Sequence, residues 1–476
     1  MKVLFAASEA APFLKTGGLA DVAYALPKAL KKLNIDVRVI IPKYGKIAEE
    51  FKEKMEKIAE FKVPVGWRNQ YCGLETLEYD GVTFYFLDNE YYFKRPEPYG
   101  HYDDGEIFTF FSRAILETLK YLNDFKPDVI HCNDWHTGVL PLFLKTHYSY
   151  DIRYQGIKTI YTIHNLKYQG VFSKTVLGEL LGLDDSFFRE NAIKFYDGIS
   201  FMKAGIMYSD IVNTVSKSYA EEIRTPYFGE NLDGLLNGIS YKLYGIVNGI
   251  DYDEHNPLTD KNIYKQYDKE NLDLKVVNKL ELQKDLGLPV KEDVPMIGLV
   301  SRLVSQKGLD LIKRVMDEIL SLDVQFVVIG TGDKAYEDMF RYYTYKYKNK
   351  MVGFIGFDNR LAKRVYAGAD LFLMPSQFEP CGIGQLIALR YGTLPIVRET
   401  GGLKDTVTPY NQYDGTGNGF SFTNYNAHDM LHVIEGAVEL YKDKKVWRKL
   451  QVNAMSSDIS WKESAEEYKK LYEKLM

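Results

Sequence analysis

Short apolar runs alternate with longer amphipathic segments through most of the chain. In the first half, apolar runs are predicted to form buried strands at residues 3–7, 36–41, 82–87, 129–131, 158–163 and 211–214. Residues 20–33 and 107–122 lie between such runs and carry apolar side chains at helical spacing. Strands separated by helices indicate a parallel sheet that is covered on both faces.

A second series of the same kind begins near residue 296. Its strands are predicted at residues 296–300, 325–329, 351–354, 371–374 and 394–397. A chain of 476 residues is also too long for one ordinary domain. We therefore predict an α/β protein with two doubly wound domains, at residues 1–245 and 246–455. Residues 456–476 are predicted to form a polar amphipathic helix that packs back onto the first domain.

Composition narrows the class of protein. A hydrophobic fraction of 46% and a charged fraction of 26% are typical of a globular protein. The net charge of -5 gives no reason to expect nucleic-acid binding. No apolar run approaches the roughly 20 residues that span a bilayer, and the first residues lack the features of a signal peptide, so a cytoplasmic protein is expected. Three widely spaced cysteines favour neither a disulfide framework nor a zinc site.

One loop combines an anion-binding turn with a carboxylate. The predicted strand at 371–374 is followed by Pro-Ser-Gln-Phe-Glu379-Pro-Cys381-Gly382-Ile-Gly384 and then by a predicted helix at 385–390. A glycine turn that opens a helix presents backbone N–H groups to an anion. Glu379 lies just before these glycines. A phosphate site with a carboxylate beside it indicates binding of a phosphorylated sugar.

Two other loops carry cations after predicted strands. Lys15-Thr-Gly17-Gly18-Leu-Ala-Asp21 opens the first helix, although a glycine turn with a solvated lysine fits this loop equally well. Arg302 and Lys307 share the loop after the first strand of the second domain, where open α/β sheets bind ligands. The alternative is that both are ordinary surface cations. Their position favours phosphate binding, since each contact of this kind contributes roughly 1.5–3 kcal/mol.

Polar residues follow two further strands of the first domain, in His131-Cys-Asn-Asp134-Trp-His136 and Thr-Ile-His164-Asn165. A lone histidine is more often a hydrogen-bonded core residue than a ligand. Metal binding would suit these residue types, but their spacing matches no metal template, and we favour contact with sugar hydroxyls. Asp251-Tyr-Asp253 is similar to a metal-binding Asp-x-Asp, yet it lies where a turn is expected and is interpreted as turn chemistry.

Together these segments resemble the bacterial glycogen synthase and plant starch synthase family of retaining glycosyltransferases. The segments that carry the resemblance are Lys15-Thr-Gly-Gly-Leu-Ala-Asp-Val, His131-Cys-Asn-Asp-Trp-His, Thr162-Ile-His-Asn, Val247-Asn-Gly-Ile-Asp, Ser301-Arg-Leu-x-x-Gln-Lys-Gly, Pro375-Ser-x-Phe-Glu-Pro-Cys-Gly and Thr400-Gly-Gly-Leu. They occur in the order of the family and cover nearly the whole chain. The combination of Lys-Thr-Gly-Gly-Leu with Glu-Pro-Cys-Gly is specific to it.

The resemblance implies the GT-B fold, in which two Rossmann-like domains face each other across a deep cleft. It implies transfer of glucose, with retention and without metal or cofactor, from ADP-glucose or UDP-glucose to the non-reducing 4-hydroxyl of an α-1,4-glucan. The expected partner is therefore glycogen or a maltooligosaccharide, and the oligomeric state stays open. The alternatives are a related GT-B enzyme with another acceptor and a sugar-nucleotide epimerase.

The resemblance also implies roles for the second-domain residues and their partners. Arg302 and Lys307 would hold the diphosphate and stabilise its developing charge, and Glu379 would bind glucose hydroxyls. The turn would add contacts to the nucleotide sugar through Cys381, Gly382, Ile383 and Gly384. Gly384 stands where bacterial members often have threonine, and Glu399 stands where a second basic residue is common.

First-domain roles follow in the same way. Lys15, Gly17 and Gly18 would reach the same phosphates, and Asp21 and Asn248 would line the donor pocket. His164 would lie against the sugar near the reacting carbon. Asp134 and Tyr99 are the residues expected to bind the acceptor.

Overall fold

The computed structural model describes residues 1–476, which form two compact units. Unit 1 comprises Met1–Asn248 together with Trp461–Met476, and unit 2 comprises Gly249–Ser460. The domain ends expected from the sequence, at residues 245 and 455, lie a few residues before these divisions. No helix has the length and apolar character needed to cross a membrane.

Unit 1 is built on a nine-stranded sheet with the strand order β12-β11-β7-β6-β1-β2-β5-β4-β3, beside a small antiparallel sheet, β8-β10-β9. The strands are β1 Lys2–Ala6, β2 Asp36–Pro42, β3 Glu56–Val65, β4 Arg68–Tyr79, β5 Val82–Asp88, β6 Val129–Asn133, β7 Lys158–Ile163, β8 Val171–Ser173, β9 Lys194–Phe195, β10 Gly198–Ser200, β11 Ile211–Thr214 and β12 Leu243–Gly245. The helices are α1 Gly18–Lys32, α2 Glu49–Lys52, α3 Glu90–Phe93, α4 Asp104–Thr118, α5 Leu140–Lys145, α6 Thr175–Glu179, α7 Phe201–Tyr208, α8 Lys217–Glu222 and α9 Asp233–Gly238.

The expectation of an entirely parallel sheet in unit 1 is wrong at one edge. β4 pairs antiparallel with β5, and β3 pairs antiparallel with β4. Gly66, in the left-handed region at φ 57°, makes the tight connection between β3 and β4 possible. Much of β3 is exposed and charged, which is typical of an edge strand and gives no buried apolar run to detect in the sequence.

Unit 2 has a six-stranded sheet in which every pairing is parallel, in the order β15-β14-β13-β16-β17-β18. Its strands are β13 Met296–Val300, β14 Gln325–Gly330, β15 Met351–Ile355, β16 Leu371–Met374, β17 Leu394–Arg398 and β18 Phe420–Phe422. Its helices are α10 Lys275–Asp285, α11 Leu309–Ser321, α12 Lys334–Lys346, α13 Asn359–Gly368, α14 Gly384–Arg390, α15 Gly401–Thr406, α16 Ala427–Leu440 and α17 Lys444–Ser456. The central strand β14 is buried along its whole length, as expected of a sheet covered on both faces.

The final helix, α18 Trp461–Glu473, belongs to unit 1. Two of its buried tyrosines end a chain of hydrogen bonds in the sheet. Tyr472 Oη lies 2.8 Å from His131 Nδ1, and Asn213 Nδ2 donates to Tyr468 Oη over 3.0 Å. Thr162 connects His131 with Asn213. Its hydroxyl lies 2.6 Å from His131 Nε2 and donates to Asn213 Oδ1 over 2.7 Å. His131 is therefore a hydrogen-bonded core residue.

Candidate active site

Each main sheet reverses its strand order at one point, and most of the predicted site residues lie in the loops at these points. In unit 1 the reversal lies between β1 and β6, and in unit 2 it lies between β13 and β16. Open α/β sheets bind ligands in the crevice beyond the carboxyl ends of the strands at such a point. The loops at these ends are 7–17 and 134–138 in unit 1, and 301–308 and 375–384 in unit 2.

In unit 2, Lys307 and Glu379 form a close ion pair. Lys307 lies in the short 3-10 helix Ser305–Lys307, and its Nζ is 2.6 Å from Glu379 Oε2. The same oxygen accepts a hydrogen bond of 3.0 Å from the Ser376 hydroxyl. The side chains are 17% and 8% exposed. Both interactions reach Oε2, which leaves Glu379 Oε1 as an acceptor for another donor.

A glycine on a neighbouring loop fixes the position of Glu379. Gly401 has φ 46°, and a Cβ atom there would lie 2.0 Å from the Glu379 carbonyl oxygen. Only glycine allows this backbone conformation at so close an approach. The Thr400-Gly-Gly segment is therefore the packing surface against which the Glu379 loop rests.

Arg302 follows β13, and its exposed side chain makes no hydrogen bond or ion pair in the structure. Arg398, at the end of β17, instead donates to the Gln377 carbonyl over 2.6 Å, while its buried Nε has no partner. The neighbouring Glu399 accepts from Ser421 and Thr423 at 2.8 and 3.2 Å. Glu399 therefore accepts hydrogen bonds from two hydroxyl groups. Arg398 has a backbone acceptor, whereas the Arg302 guanidinium has no acceptor within the protein.

The turn at 381–384 is held by a glutamine. Gln385 Nε2 donates to the carbonyl oxygens of Cys381 and Gly382 at 3.0 and 3.1 Å. Gly382 has φ 77°, and Ile383 precedes the short helix α14. A Cβ atom at Gly384 would lie 3.0 Å from the Phe372 ring, so a larger residue there requires this ring to shift. Cys381 is buried and forms no disulfide bond.

In unit 1, Lys15 and Asp21 lie close together at the start of α1. Lys15 Nζ is 2.6 Å from Asp21 Oδ1, and half of the lysine side chain is exposed. Gly17 is the residue before the first turn of α1, and no side chain caps this helix. At this end of the 15-residue helix the Gly17 N–H donates to the Glu9 carboxylate, so the N–H groups of Gly18 and Leu19 are the ones left for an anion, and Lys15 adds a charge beside them.

Glu9 is a residue of this site that the sequence interpretation missed. It lies beyond β1, is 2% exposed, and accepts hydrogen bonds from the backbone of Thr16 and Gly17. Burial raises the pKa of the Glu9 carboxyl above its usual value, although these hydrogen bonds act to lower it. An acidic residue directly after an apolar strand was the signal in the sequence.

Asp134 and His164 meet at the ends of β6 and β7. Asp134 has φ 55°, rare for a residue with a side chain, and its Oδ1 accepts from the backbone N–H of His164 over 2.8 Å. Burial raises the pKa of Asp134 to about 7. Burial also lowers the pKa of His164 to about 3. At neutral pH the imidazole is therefore uncharged.

The tautomer of His164 follows from its neighbour Asn133. Asn133 Nδ2 donates to the carbonyl oxygens of Ala6 and His131 at 3.0 and 3.2 Å. Its Oδ1 must then be the acceptor for His164 Nε2, 2.8 Å away. His164 Nε2 thus carries the proton, and Nδ1 carries the lone pair.

Tyr99 lies in an aromatic cluster with His136, one of the residues that the sequence analysis considered for contact with sugar hydroxyls. The Tyr99 and His136 ring centroids are 4.9 Å apart, and Trp135 stacks on His136 at 4.1 Å. His136 is 6% exposed, and neither of its ring nitrogens has a hydrogen-bond partner. Its burial among aromatic rings lowers its pKa to about 3.

Two further predicted residues lie where unit 1 gives way to unit 2. Asn248 is buried, and its Oδ1 has no hydrogen-bond partner. The Asp251 carboxylate accepts a hydrogen bond of 2.8 Å from the Asp253 backbone N–H, which is the turn chemistry expected for this pair. No group of three or more His, Cys, Asp or Glu side chains is arranged to hold a metal ion.

Two family models match the chain. Residues 2–238 match the starch synthase catalytic domain, and residues 282–451 match glycosyl transferases group 1. The chain is 62% identical over 473 residues to glycogen synthase from Clostridium acetobutylicum, with 99% of each chain covered. It is 58% identical over 476 residues to glycogen synthase from Clostridium novyi, with 100% of this chain and 99% of the relative covered.

Solved structures give the same picture. The catalytic domain of starch synthase IV from Arabidopsis thaliana, bound to ADP and acarbose, matches with a TM-score of 0.93 and 34% identity over 100% of this chain and 99% of that one. Sucrose-phosphate synthase from Thermosynechococcus elongatus matches with a TM-score of 0.63 and 16% identity over 100% and 98%, which supports the GT-B fold alone. With its two parallel-sheet units and these full-length relatives, the chain belongs to the glycogen synthase and starch synthase family of glycosyltransferases.

Proposed function

We propose that the protein is a glycogen synthase that transfers glucose, with retention, from ADP-glucose or UDP-glucose to the non-reducing 4-hydroxyl of an α-1,4-glucan. The observation that carries this proposal is the ion pair between the half-buried Lys307 and the buried Glu379. The Lys307 ammonium lies 2.6 Å from the Glu379 carboxylate. A phosphorylated sugar requires a cation for its phosphate and an acceptor for its hydroxyl groups, and this pair provides both. The cytoplasmic location stays a prediction.

Lys307 and Arg302 are proposed to bind the diphosphate. A lysine ammonium has three donors, so Lys307 keeps one on Glu379 Oε2 and offers the others to phosphate oxygens. Arg302 has an unengaged guanidinium that binds phosphate through two parallel hydrogen bonds. Negative charge grows on the leaving diphosphate as the glycosidic bond breaks, and fixed cations stabilise it. Removal of one preorganised donor typically lowers the rate by about 10²–10³-fold.

Glu379 and His164 are proposed to bind the glucose. Glu379 Oε1 is the acceptor that the ion pair leaves for a sugar hydroxyl. His164 is uncharged at neutral pH and presents a lone pair at Nδ1, so it accepts a hydrogen bond and does not supply a proton. Asp134, which already accepts a backbone N–H, and Tyr99 are proposed to contact the acceptor.

The proposed mechanism requires no metal. Part of the positive charge at the phosphates is proposed to come from the donor loop of unit 1, residues 15–18. Lys15 and the backbone of Gly17 and Gly18 are proposed to reach the phosphates, with Asp21 and Asn248 in the donor pocket. Retention is proposed to follow from attack on the same face that the diphosphate leaves, with the leaving phosphate guiding the acceptor hydroxyl.

The test measures nucleoside diphosphate release and glucan extension with glycogen and either donor, in the presence of EDTA. The Lys307→Ala and Glu379→Ala variants are expected to lose at least about 10²-fold in turnover. Lys313→Ala is the matched control, because Lys313 is an exposed lysine on α11. Its activity should equal that of the unmodified protein.

Each other outcome redirects the proposal. The absence of extension with both donors would refute glucan synthesis and favour another acceptor. Conversion of the sugar nucleotide without any acceptor would indicate an epimerase. Activity that EDTA abolishes would refute metal independence and return attention to Asp251 and Asp253.

A further inference from the structure

The Glu9 carboxylate is buried in unit 1 without a cationic partner. No lysine or arginine forms an ion pair with it, and three donors converge on it instead. Thr16 N–H donates to Oε2 over 2.7 Å, the Thr16 hydroxyl donates to the same oxygen over 2.5 Å, and Gly17 N–H donates to Oε1 over 3.2 Å. A buried carboxylate without a counter-charge is costly even when it is hydrogen-bonded, so this one is expected to have a specific task.

The Thr16 hydroxyl connects Glu9 to a second loop. Its oxygen is also hydrogen-bonded to Tyr99 Oη. A hydroxyl has one proton, and an ionised carboxylate can only accept. The Thr16 proton therefore points to Glu9, and the Tyr99 hydroxyl donates to Thr16. The Tyr99 ring in turn packs against His136.

We propose that Glu9 is a positioning residue that couples the donor loop to the acceptor loop. Its carboxylate fixes Lys15–Gly18 through two backbone N–H groups, and it fixes the Tyr99 ring through the Thr16 hydroxyl. The inference rests on the proposed function, which assigns Lys15 to the donor phosphates and Tyr99 to the acceptor sugar. Neither Glu9 nor Thr16 needs to touch a substrate in this role.

The first experiment uses Glu9→Gln, which keeps the shape and removes the charge. The amide turns an NH2 group toward one of the donors, so the three hydrogen bonds cannot all be kept. We expect KM for both the sugar nucleotide and the glucan to rise about 10-fold. Glu117→Gln is the matched control, because Glu117 is a buried carboxylate of the same unit that accepts the Tyr148 hydroxyl over 2.7 Å. Glu117→Gln should leave both KM values unchanged.

Two further variants each remove one hydroxyl group from the hydrogen-bonded chain Glu9–Thr16–Tyr99. Thr16→Val keeps the backbone N–H bonds and removes the hydroxyl, so it should raise KM for the glucan and leave KM for the sugar nucleotide unchanged. Tyr99→Phe should have the same effect on the glucan, and the double variant should be no worse than either single one. Additive effects of Thr16→Val and Tyr99→Phe would overturn the coupling.

Hydrogen exchange separates this inference from the proposed function. The Thr16 and Gly17 amides both donate to Glu9, so Glu9→Gln should accelerate their exchange about 10-fold, and Glu117→Gln should not. Unchanged exchange at these amides in Glu9→Gln would overturn the positioning role. If the unmodified protein extends no glucan while Glu9→Gln loses protection, the proposed function fails, whereas the fixing of the Lys15–Gly18 loop by Glu9 is upheld.

Discussion

Removal of Lys307 should destabilise unit 2 more than removal of its partner Glu379. At 2.6 Å and an effective dielectric constant near 20, the gross attraction is about 6 kcal/mol, most of which offsets the loss of hydration of the two charges. Lys307→Ala leaves an 8% exposed carboxylate unpaired, and breaking a buried pair in this way costs about 3–5 kcal/mol. Glu379→Gln leaves a more exposed and flexible lysine, and should cost about 1.5–3 kcal/mol.

The assay is a double-mutant cycle with Lys307→Ala, Glu379→Gln and the combined variant. Hydrogen exchange of unit 2 peptides across a urea series gives the free energy of unfolding of that unit. The combined variant should be more stable than the sum of the single effects predicts, by about 2 kcal/mol. The exposed pair Arg314–Glu318, with a separation of 3.9 Å, is the control and should show less than about 0.5 kcal/mol of coupling. Coupling of Lys307 with Glu379 below about 0.5 kcal/mol would refute the reasoning.

Three further predictions concern single residues. Gly401→Ala should destabilise unit 2 by at least about 1–3 kcal/mol. Gly287→Ala is the control and should cost less, because Gly287 also has a positive φ but no atom lies within 4 Å of the added Cβ. Equal losses of stability in urea unfolding would show that the contact with the Glu379 carbonyl is unimportant. Asp134 has a folded pKa of about 7 against an ordinary 3.8, so its contribution to stability is full below about pH 4 and is lost as the pH rises through 7. Asp134→Asn should flatten the unfolding free energy of unit 1 over that range, and an unchanged pH profile would contradict this. Tyr472→Phe should cost about 1–3 kcal/mol, because it leaves a buried histidine nitrogen of β6 unpaired; unchanged hydrogen exchange in α18 would argue against it.

The sequence was sufficient to predict the strands and loops that carry the unit 2 site. Lys307 and Glu379 are far apart in the chain, yet each follows a predicted strand, and β13 and β16 prove to be neighbours. Parallel strands bring their carboxyl ends to one edge, so the position after a strand is informative before any coordinate is known. The ion pair itself was not predicted, because it depends on side-chain direction.

Other features had only a weak signal in the sequence, or none. β3 and β4 alternate polar and apolar residues weakly, and the sheet edge they form was missed. Glu9 was missed as a site residue because its only signal, an acidic side chain directly after an apolar strand, is a single residue with no motif around it. The departure at Gly384 becomes intelligible only in three dimensions, where the Phe372 ring fills the space that a side chain would take.

The return of α18 to unit 1 has a consequence for the order of folding during translation. Unit 2 is an insertion between two segments of unit 1, since residues 249–460 separate Asn248 from Trp461. A ribosome that has released residue 460 has produced every residue of unit 2, but Tyr468 and Tyr472, which complete the hydrogen bonds of the unit 1 sheet, are still missing. The unit synthesised first should therefore be the last to reach its final stability, and until then it should depend most on chaperones.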